Sequence, residues 1–94
     1  MRVISRAKLR EFAAKHREAD VGLNAWYHVM KRATFKNPND LLGMFPKATL
    51  LGDGLTVFNI GSHRLVVHMR YDLRTVYVRA VMTHPEYDRW NKQR

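Results

Sequence analysis

The fold is decided by a stretch that reads VFNIGSHRLVV at residues 57–67. Two apolar runs flank the pair Gly61-Ser62, and a two-residue turn with glycine in first place is typical of a β-hairpin. This turn predicts that Ile60 lies opposite His63, and the register of both strands follows from that pair. The further pairs predicted in this way are Phe58 with Leu65, Thr56 with Val67, and Asn59 with Arg64.

The strands on either side extend this hairpin into a sheet. Asp53-Gly54 predicts a second hairpin, between strands at residues 48–52 and 55–60. A last strand is predicted at residues 75–82, because apolar side chains alternate there. To complete an apolar face with Leu65, it is expected to place Val78 opposite Met69 and Ala80 opposite Val67. The other face is then expected to pair Arg64 with Thr83, His68 with Arg79, and Arg70 with Tyr77.

Helical patterns precede the strands. Ser5 and Asp20 are predicted to act as N-caps of two helices, and Asn37-Pro38 is typical of the start of a short third helix that ends before Pro46. Apolar side chains at helical spacing follow the first two starts, namely Leu9, Phe12 and Ala13, and then Leu23, Trp26, Tyr27 and Met30. Helices followed by strands predict an α+β fold, with two N-terminal helices packed on an antiparallel sheet.

Length and composition limit the class of protein. The chain has 94 residues, which predicts a single domain over residues 1–94, and it contains no cysteine. Disulfides, a thiol nucleophile and cysteine-bound zinc are therefore excluded. No run is apolar enough for a signal peptide or a membrane span, so we expect a cytoplasmic protein without a membrane partner.

The charge is strongly positive. There are 17 Lys and Arg residues against 8 Asp and Glu, a net charge of +9. Most of this charge lies in residues 1–36 and 61–94, so a fold that brings the two ends together would form a basic face. Such a face predicts a polyanion as the partner.

Several kinds of catalytic site are not supported. The carboxylates are scattered over caps and turns, so a two-metal nuclease or a two-carboxylate glycosidase is not expected. His63 and His68 fall on opposite faces of one strand, so no metal site and no cofactor are predicted. Neither a nucleophile elbow nor a phosphate-binding glycine loop is present.

One group of residues suits a phosphodiester. Thr83-His84-Pro85-Glu86 is typical of a capping box, which would place His84 at a helix N-terminus where backbone N–H groups favour an anion. Arg64 is expected beside it, and Tyr87 one turn along the helix. Arg79 is expected to extend this surface. The candidates for RNA binding are cations and aromatic residues on the same face or on the first helix, namely Arg70, His68, Tyr77, Lys8 and Arg6.

The chain also resembles a known family. Residues 57–61 (VFNIG), 64–67 (RLVV), 76–79 (VYVR) and 83–89 (THPEYDR) are similar to the HigB toxins of bacterial toxin–antitoxin pairs, and the last motif is the most specific. The resemblance covers nearly the whole chain. It implies a RelE-like fold and a metal-independent mRNA interferase that cleaves mRNA on the translating ribosome.

Residue roles follow from this resemblance as expectations. His84 would be the general acid or base, Arg64 and Arg79 would hold the phosphate, and Tyr87 would orient the substrate. Asp88 would orient another group rather than catalyse. The implied partner is a HigA-like antitoxin with a helix-turn-helix domain.

Two other functions remain open at this point. A non-catalytic RNA- or ribosome-binding module would use the same arginines without needing His84. A protein-interaction module would use the basic face to bind an acidic partner, with no salt-sensitive affinity for RNA.

Overall fold

The computed structural model describes all 94 residues and has helices on a five-stranded sheet. The fold class is therefore α+β, as predicted, with a helix at the C-terminus. The helices are α1 (Arg6–Lys15), α2 (Asp20–Arg32), α3 (Pro38–Met44) and α4 (His84–Lys92), with a 3₁₀ turn at Arg17–Ala19 between the first two. The strands are β1 (Arg2–Ile4), β2 (Thr49–Gly52), β3 (Leu55–Ile60), β4 (His63–Arg70) and β5 (Thr75–Thr83), in the spatial order β1-β5-β4-β3-β2.

Both two-residue turns are confirmed. Asp53 and Gly54 have φ of 52° and 83°, as a hairpin turn of this length requires. A Cβ on Gly54 would lie 2.5 Å from the Met69 carbonyl oxygen, so only glycine fits there. Gly61, with φ of 59°, starts the β3–β4 turn. All four predicted β3–β4 pairs are present, including Asn59 opposite Arg64.

The pairing of β4 with β5 differs from the prediction in two respects. First, the connection is a four-residue turn at residues 71–74, so Met69 lies opposite Val76 and not Val78. Arg74 closes this turn in the left-handed region with φ of 50°, and its N–H donates to the Tyr71 carbonyl at 3.3 Å. No glycine or proline marks this turn, so the sequence pattern alone did not locate it.

Second, β5 contains a β-bulge at Arg79. Val78 pairs with Val67 and Ala80 pairs with Val66, which leaves Arg79 without a partner on β4. Beyond the bulge the faces of β5 are exchanged, so Val81 packs against the core and Ala80 is only half-buried on the other side. The predicted burial of Ala80 in the core is therefore wrong.

The two faces of the sheet are nevertheless distinct. The core face packs against the helices, and Leu65, Val67 and Val78 are buried there as predicted. We call the opposite side the outer face, and it carries Asn59, Arg64, Val66, His68 and Tyr77.

A short parallel strand, β1, was not predicted as a strand. Val3 pairs with Val76 of β5, and the Met1 amine donates a hydrogen bond to the Met30 carbonyl at the end of α2 at 3.0 Å. Three residues are too few for a periodic signal, so only these tertiary contacts define the strand. The sheet is thus antiparallel except at this edge.

The helices pack by the predicted apolar stripes, but two of their caps differ. Leu9, Leu23, Trp26 and Met30 are buried in the main core. Asn37 does cap α3, since its side chain accepts a hydrogen bond from the Asp40 N–H at 2.9 Å. Ser5 occupies the predicted N-cap position of α1 but its side chain makes no cap hydrogen bond, and Asp20 is the first residue of α2 rather than its N-cap.

Candidate active site

The start of α4 is fixed by the predicted capping box. The Thr83 N–H donates to Glu86 Oε1 at 2.8 Å, and the Glu86 N–H donates to Thr83 Oγ1 at 3.4 Å. The hydrogen bond from the Thr83 backbone holds the pKa of the Glu86 carboxyl below its usual value. His84 is therefore held at the first position of the helix, where the Thr83 and Glu86 N–H groups are already used by the capping box and Pro85 has none.

His84 is paired with a carboxylate one helical turn away. Its Nδ1 lies 3.2 Å from Asp88 Oδ2, and both side chains are more than half exposed. Because Nδ1 faces Asp88, Nε2 is the imidazole nitrogen left to meet another molecule. The arrangement can accept or deliver a proton at one defined atom.

Arg64 lies on the outer face near the beginning of β4. It is opposite Met82 on one side and Asn59 on the other, not opposite Thr83 as predicted, because the four-residue turn shifts the β5 register by two residues and the bulge restores only one of them. It forms no ion pair, and its only side-chain hydrogen bond goes from Nη1 to the His63 carbonyl at 3.3 Å. Its positive charge is not neutralised by any acidic side chain within the protein.

Arg79 occupies the bulge and is exposed. Its expected position opposite His68 is wrong, since Tyr77 takes that place. The Arg79 carbonyl accepts a hydrogen bond from Lys8 Nζ at 3.2 Å, so a predicted RNA-binding lysine instead contacts the bulge from α1. The two cations are thereby brought to one region of the surface.

Tyr87 is the aromatic residue of this region. It is half-buried, and its ring lies 5.8 Å from that of Trp90 on the same helix. Neither ring packs into the main core, although α4 contacts β4 and β5. The pair therefore presents aromatic surface beside His84, of a kind on which a base can stack.

The other end of the β4–β5 ladder is organised differently. Arg70 makes a bidentate ion pair with Asp72, with Nε–Oδ1 and Nη2–Oδ2 distances of 3.0 and 2.7 Å. This contact raises the pKa of Arg70 and lowers that of Asp72. Arg70 lies six positions beyond Arg64 along β4, about 20 Å at ~3.3 Å per residue. The structure does not bring Arg70 to the His84 region.

Three further candidates also lie away from His84. His68 and Tyr77 form a cross-strand pair on the outer face, toward the Arg70 end. The Arg6 guanidinium lies 4.0 Å from the centroid of the Tyr27 ring, a cation–π contact between α1 and α2.

Asn59 is a polar residue that the sequence analysis placed opposite Arg64 but did not assign to the site. It is exposed and lies on the outer face opposite Arg64. An amide can both donate to a phosphate and read a base edge. The signal that could have identified it was the predicted pair itself, which the structure confirms.

None of the helices is both long and apolar enough to cross a membrane.

Comparison with known proteins is consistent with the motifs of the C-terminal half. Residues 19–90 match the family model for HigB_toxin, the RelE-like toxic component of a toxin-antitoxin system.

Individual relatives match over almost the full length. The mRNA interferase toxin HigB of Escherichia coli K12 is 32% identical over 92 residues, which cover 94% of this chain and 88% of that protein. The mRNA interferase HigB of Shigella flexneri matches to the same extent. That of E. coli O6:H1 is 25% identical over 93 residues, with 95% and 90% coverage. The chain therefore belongs to the HigB family of RelE-like toxins of toxin–antitoxin systems.

Proposed function

We propose that this toxin is an mRNA interferase, an endoribonuclease that cleaves mRNA without a metal ion at the reacting phosphate. The 2′-hydroxyl attacks the adjacent 3′-phosphate, and the products are a 2′,3′-cyclic phosphate and a 5′-hydroxyl end. The observation that carries the proposal is His84, an exposed imidazole at the first position of α4, with Nδ1 held by Asp88 and Nε2 open to solvent. The names of the curated relatives support it.

His84 Nε2 is the proton-transfer atom in this proposal. The imidazole can act near neutral pH either as the base that takes the 2′-hydroxyl proton or as the acid that protonates the leaving 5′-oxygen. Asp88 positions the ring and favours the tautomer with the proton on Nδ1.

Arg64 and Arg79 supply the positive charge. The non-bridging oxygens of the phosphate gain negative charge as the pentacoordinate transition state forms, and cations placed beforehand stabilise that charge. Arg64 suits this role because no carboxylate competes for its guanidinium, and Arg79 because its side chain is exposed at the bulge. Tyr87 would stack on a neighbouring base or donate a hydrogen bond.

The remaining cations would bind the RNA further along its backbone. Lys8 is closest to the reacting group through its contact with the bulge. Arg70, His68, Tyr77 and Arg6 lie farther away and would contact only a longer RNA.

Membership of this toxin family also predicts the partners of the protein. A toxin of this family implies an antitoxin partner and an mRNA substrate. We propose that the antitoxin is HigA-like, with a helix-turn-helix domain, and that cleavage takes place on the ribosome in the cytoplasm.

The test is single-turnover cleavage of an end-labelled RNA, free or on a stalled ribosome, by the wild type and His84→Ala. We expect His84→Ala to lower the cleavage rate by about 10²–10⁴-fold with RNA affinity unchanged within a few fold. The wild-type products should carry a cyclic phosphate, and cleavage of the free RNA should persist in EDTA.

Full cleavage by His84→Ala would contradict the catalytic role. Binding of RNA or ribosomes without any cleavage by the wild type would indicate the non-catalytic binding module instead.

A further inference from the structure

Two side chains from the end of the first helix region, His16 and Glu18, meet the sequence-distant His63 outside the candidate active site. His16 Nδ1 lies 3.6 Å from Glu18 Oε1, and His63 Nε2 lies 3.8 Å from the same oxygen. All three ligand atoms lie within 4.8 Å of one another. This cluster plays no part in the proposed cleavage.

Each member is held by its own element. His16 follows the last residue of α1, Glu18 lies in the 3₁₀ turn, and His63 is the first residue of β4. The Phe12 ring contacts both imidazoles, stacked on His16 with a centroid distance of 4.4 Å and edge-on to His63 at 5.1 Å. His63 is also buried, with 5% of its surface exposed. The two rings are therefore positioned by packing before any ligand binds.

The spacing suits a small divalent cation. A tetrahedral zinc ion, with bonds of about 2.0–2.1 Å to imidazole nitrogen and carboxylate oxygen, requires its ligand atoms about 3.3 Å apart. Both distances to the Glu18 oxygen exceed this value by 0.5 Å or less. Rotation of the exposed Glu18 side chain can shorten these two distances, and a small movement of the His16 ring would bring the two imidazole nitrogens closer than their present separation of at most 4.8 Å.

We propose that His16, Glu18 and His63 form a zinc site with the fourth position open to water. Two imidazoles and one carboxylate are a donor set that zinc uses, whereas magnesium prefers oxygen ligands alone. The Glu18 side chain is 65% exposed, which leaves a path for the ion to enter from solvent.

The site would act as a structural link. His63 pairs with Thr83, the residue that caps α4, so a bound ion would join the end of α1 to the strand pair that positions His84. This inference does not depend on the proposed function.

The experiment is titration of the metal-free full-length protein with Zn²⁺, followed by calorimetry and thermal unfolding. We expect one ion per chain. At a free Zn²⁺ concentration of about 100 times Kd, Tm should rise by roughly 10–20 °C, whereas Mg²⁺ should produce no such rise.

Two sets of variants locate the ion. Glu18→Gln and His16→Gln change side chains near the surface, and each should weaken zinc binding by more than about 100-fold, since loss of even an outer partner costs about 10–100-fold. His28→Gln changes an exposed histidine outside the cluster and should leave Kd unchanged. Asp88→Asn should also leave it unchanged, which controls for binding at the His84–Asp88 pair.

Three results would overturn the proposal. They are the absence of zinc binding by the wild type, an unchanged Kd in Glu18→Gln, and loss of binding in Asp88→Asn, which would locate the ion at His84.

Discussion

The two ends of the β4–β5 ladder carry the same kinds of residue in different states. At the α4 end, Arg64 has no acidic partner and His84 is held by a carboxylate that leaves Nε2 free. At the opposite end, Arg70 is engaged by both oxygens of Asp72. Both regions combine arginine, histidine and tyrosine, yet only at the α4 end does the arginine side chain lack an acidic partner.

The turns explain the difference. The four-residue turn after β4 contains Asp72, two residues beyond Arg70, so it supplies the neutralising carboxylate locally. The Gly61-Ser62 turn before β4 contains no acid. The carboxylates nearest in sequence to His84 are both engaged, Glu86 in the capping box and Asp88 with His84.

The largest effect is expected when Arg64 and Arg70 are each replaced by alanine in separate variants. Arg64→Ala should lower the single-turnover cleavage rate by about 10²-fold, because loss of one preorganised donor to a developing oxyanion typically costs that much. Arg70→Ala is the matched control and should change cleavage and RNA affinity by less than about twofold, since its charge is already paired. Equal losses in the two variants would contradict the comparison.

Asp88→Asn tests the second feature of the α4 end. Asp88 is a positioning residue, and its exposure makes its effect smaller than that of a buried carboxylate, so we expect kcat to fall about tenfold with KM little changed. Asp88→Glu should restore part of kcat. A change in KM alone would mean that Asp88 repels or binds RNA rather than orienting His84.

Asp72→Asn removes the acidic partner of Arg70, so that the Arg70 end of the β4–β5 ladder comes to resemble the α4 end. Releasing Arg70 from its ion pair should raise affinity for a long single-stranded RNA by about two- to threefold and steepen its salt dependence by up to about one phosphate contact. The cleavage rate of a short RNA bound at His84 should not change. Affinity should be measured at two salt concentrations, and an unchanged salt slope would exclude Arg70 from the RNA path.

The smallest effect concerns pH. The hydrogen bond from Arg70 holds the folded-state pKa of Asp72 below its ordinary value of 3.8. The pair therefore contributes stability above that value and loses it as pH falls through the folded-state pKa. The difference in Tm between the wild type and Asp72→Asn should be slight at pH 7, because the pair is exposed, and should disappear as the pH falls through the lowered pKa of Asp72. A difference that grows with acidification would contradict the assignment.

Local signals in the sequence were sufficient for much of this structure. Gly61-Ser62 predicted every β3–β4 pair, and the Thr83–Glu86 pattern predicted the start of α4 and hence the position of His84. These signals succeed because a two-residue turn or a capping box is determined by neighbouring residues alone. The catalytic roles of Arg64, Arg79 and Tyr87 stay predictions.

Features that depend on tertiary contacts were not predictable. β1 forms because Val3 pairs with Val76 of β5. No glycine in the neighbouring sequence indicates the bulge at Arg79. The partners of charged side chains are equally hidden, since Glu18 meets two imidazoles that lie far apart in sequence from each other. Residue type predicts what a side chain can do, and only the fold determines whether it is already occupied.

The bulge makes β5 one residue longer than the part of β4 with which it pairs. Deleting Arg79 would close the bulge without exchanging the faces, because Ala80 would then follow Val78 directly and stay opposite Val66, and Val81 would still face the core. The deletion would therefore remove one guanidinium and the extra local twist of the strand, while the order of faces that leads into α4 stays the same. The bulge is an insertion that the strand absorbs in place, so the start of the helix does not depend on it.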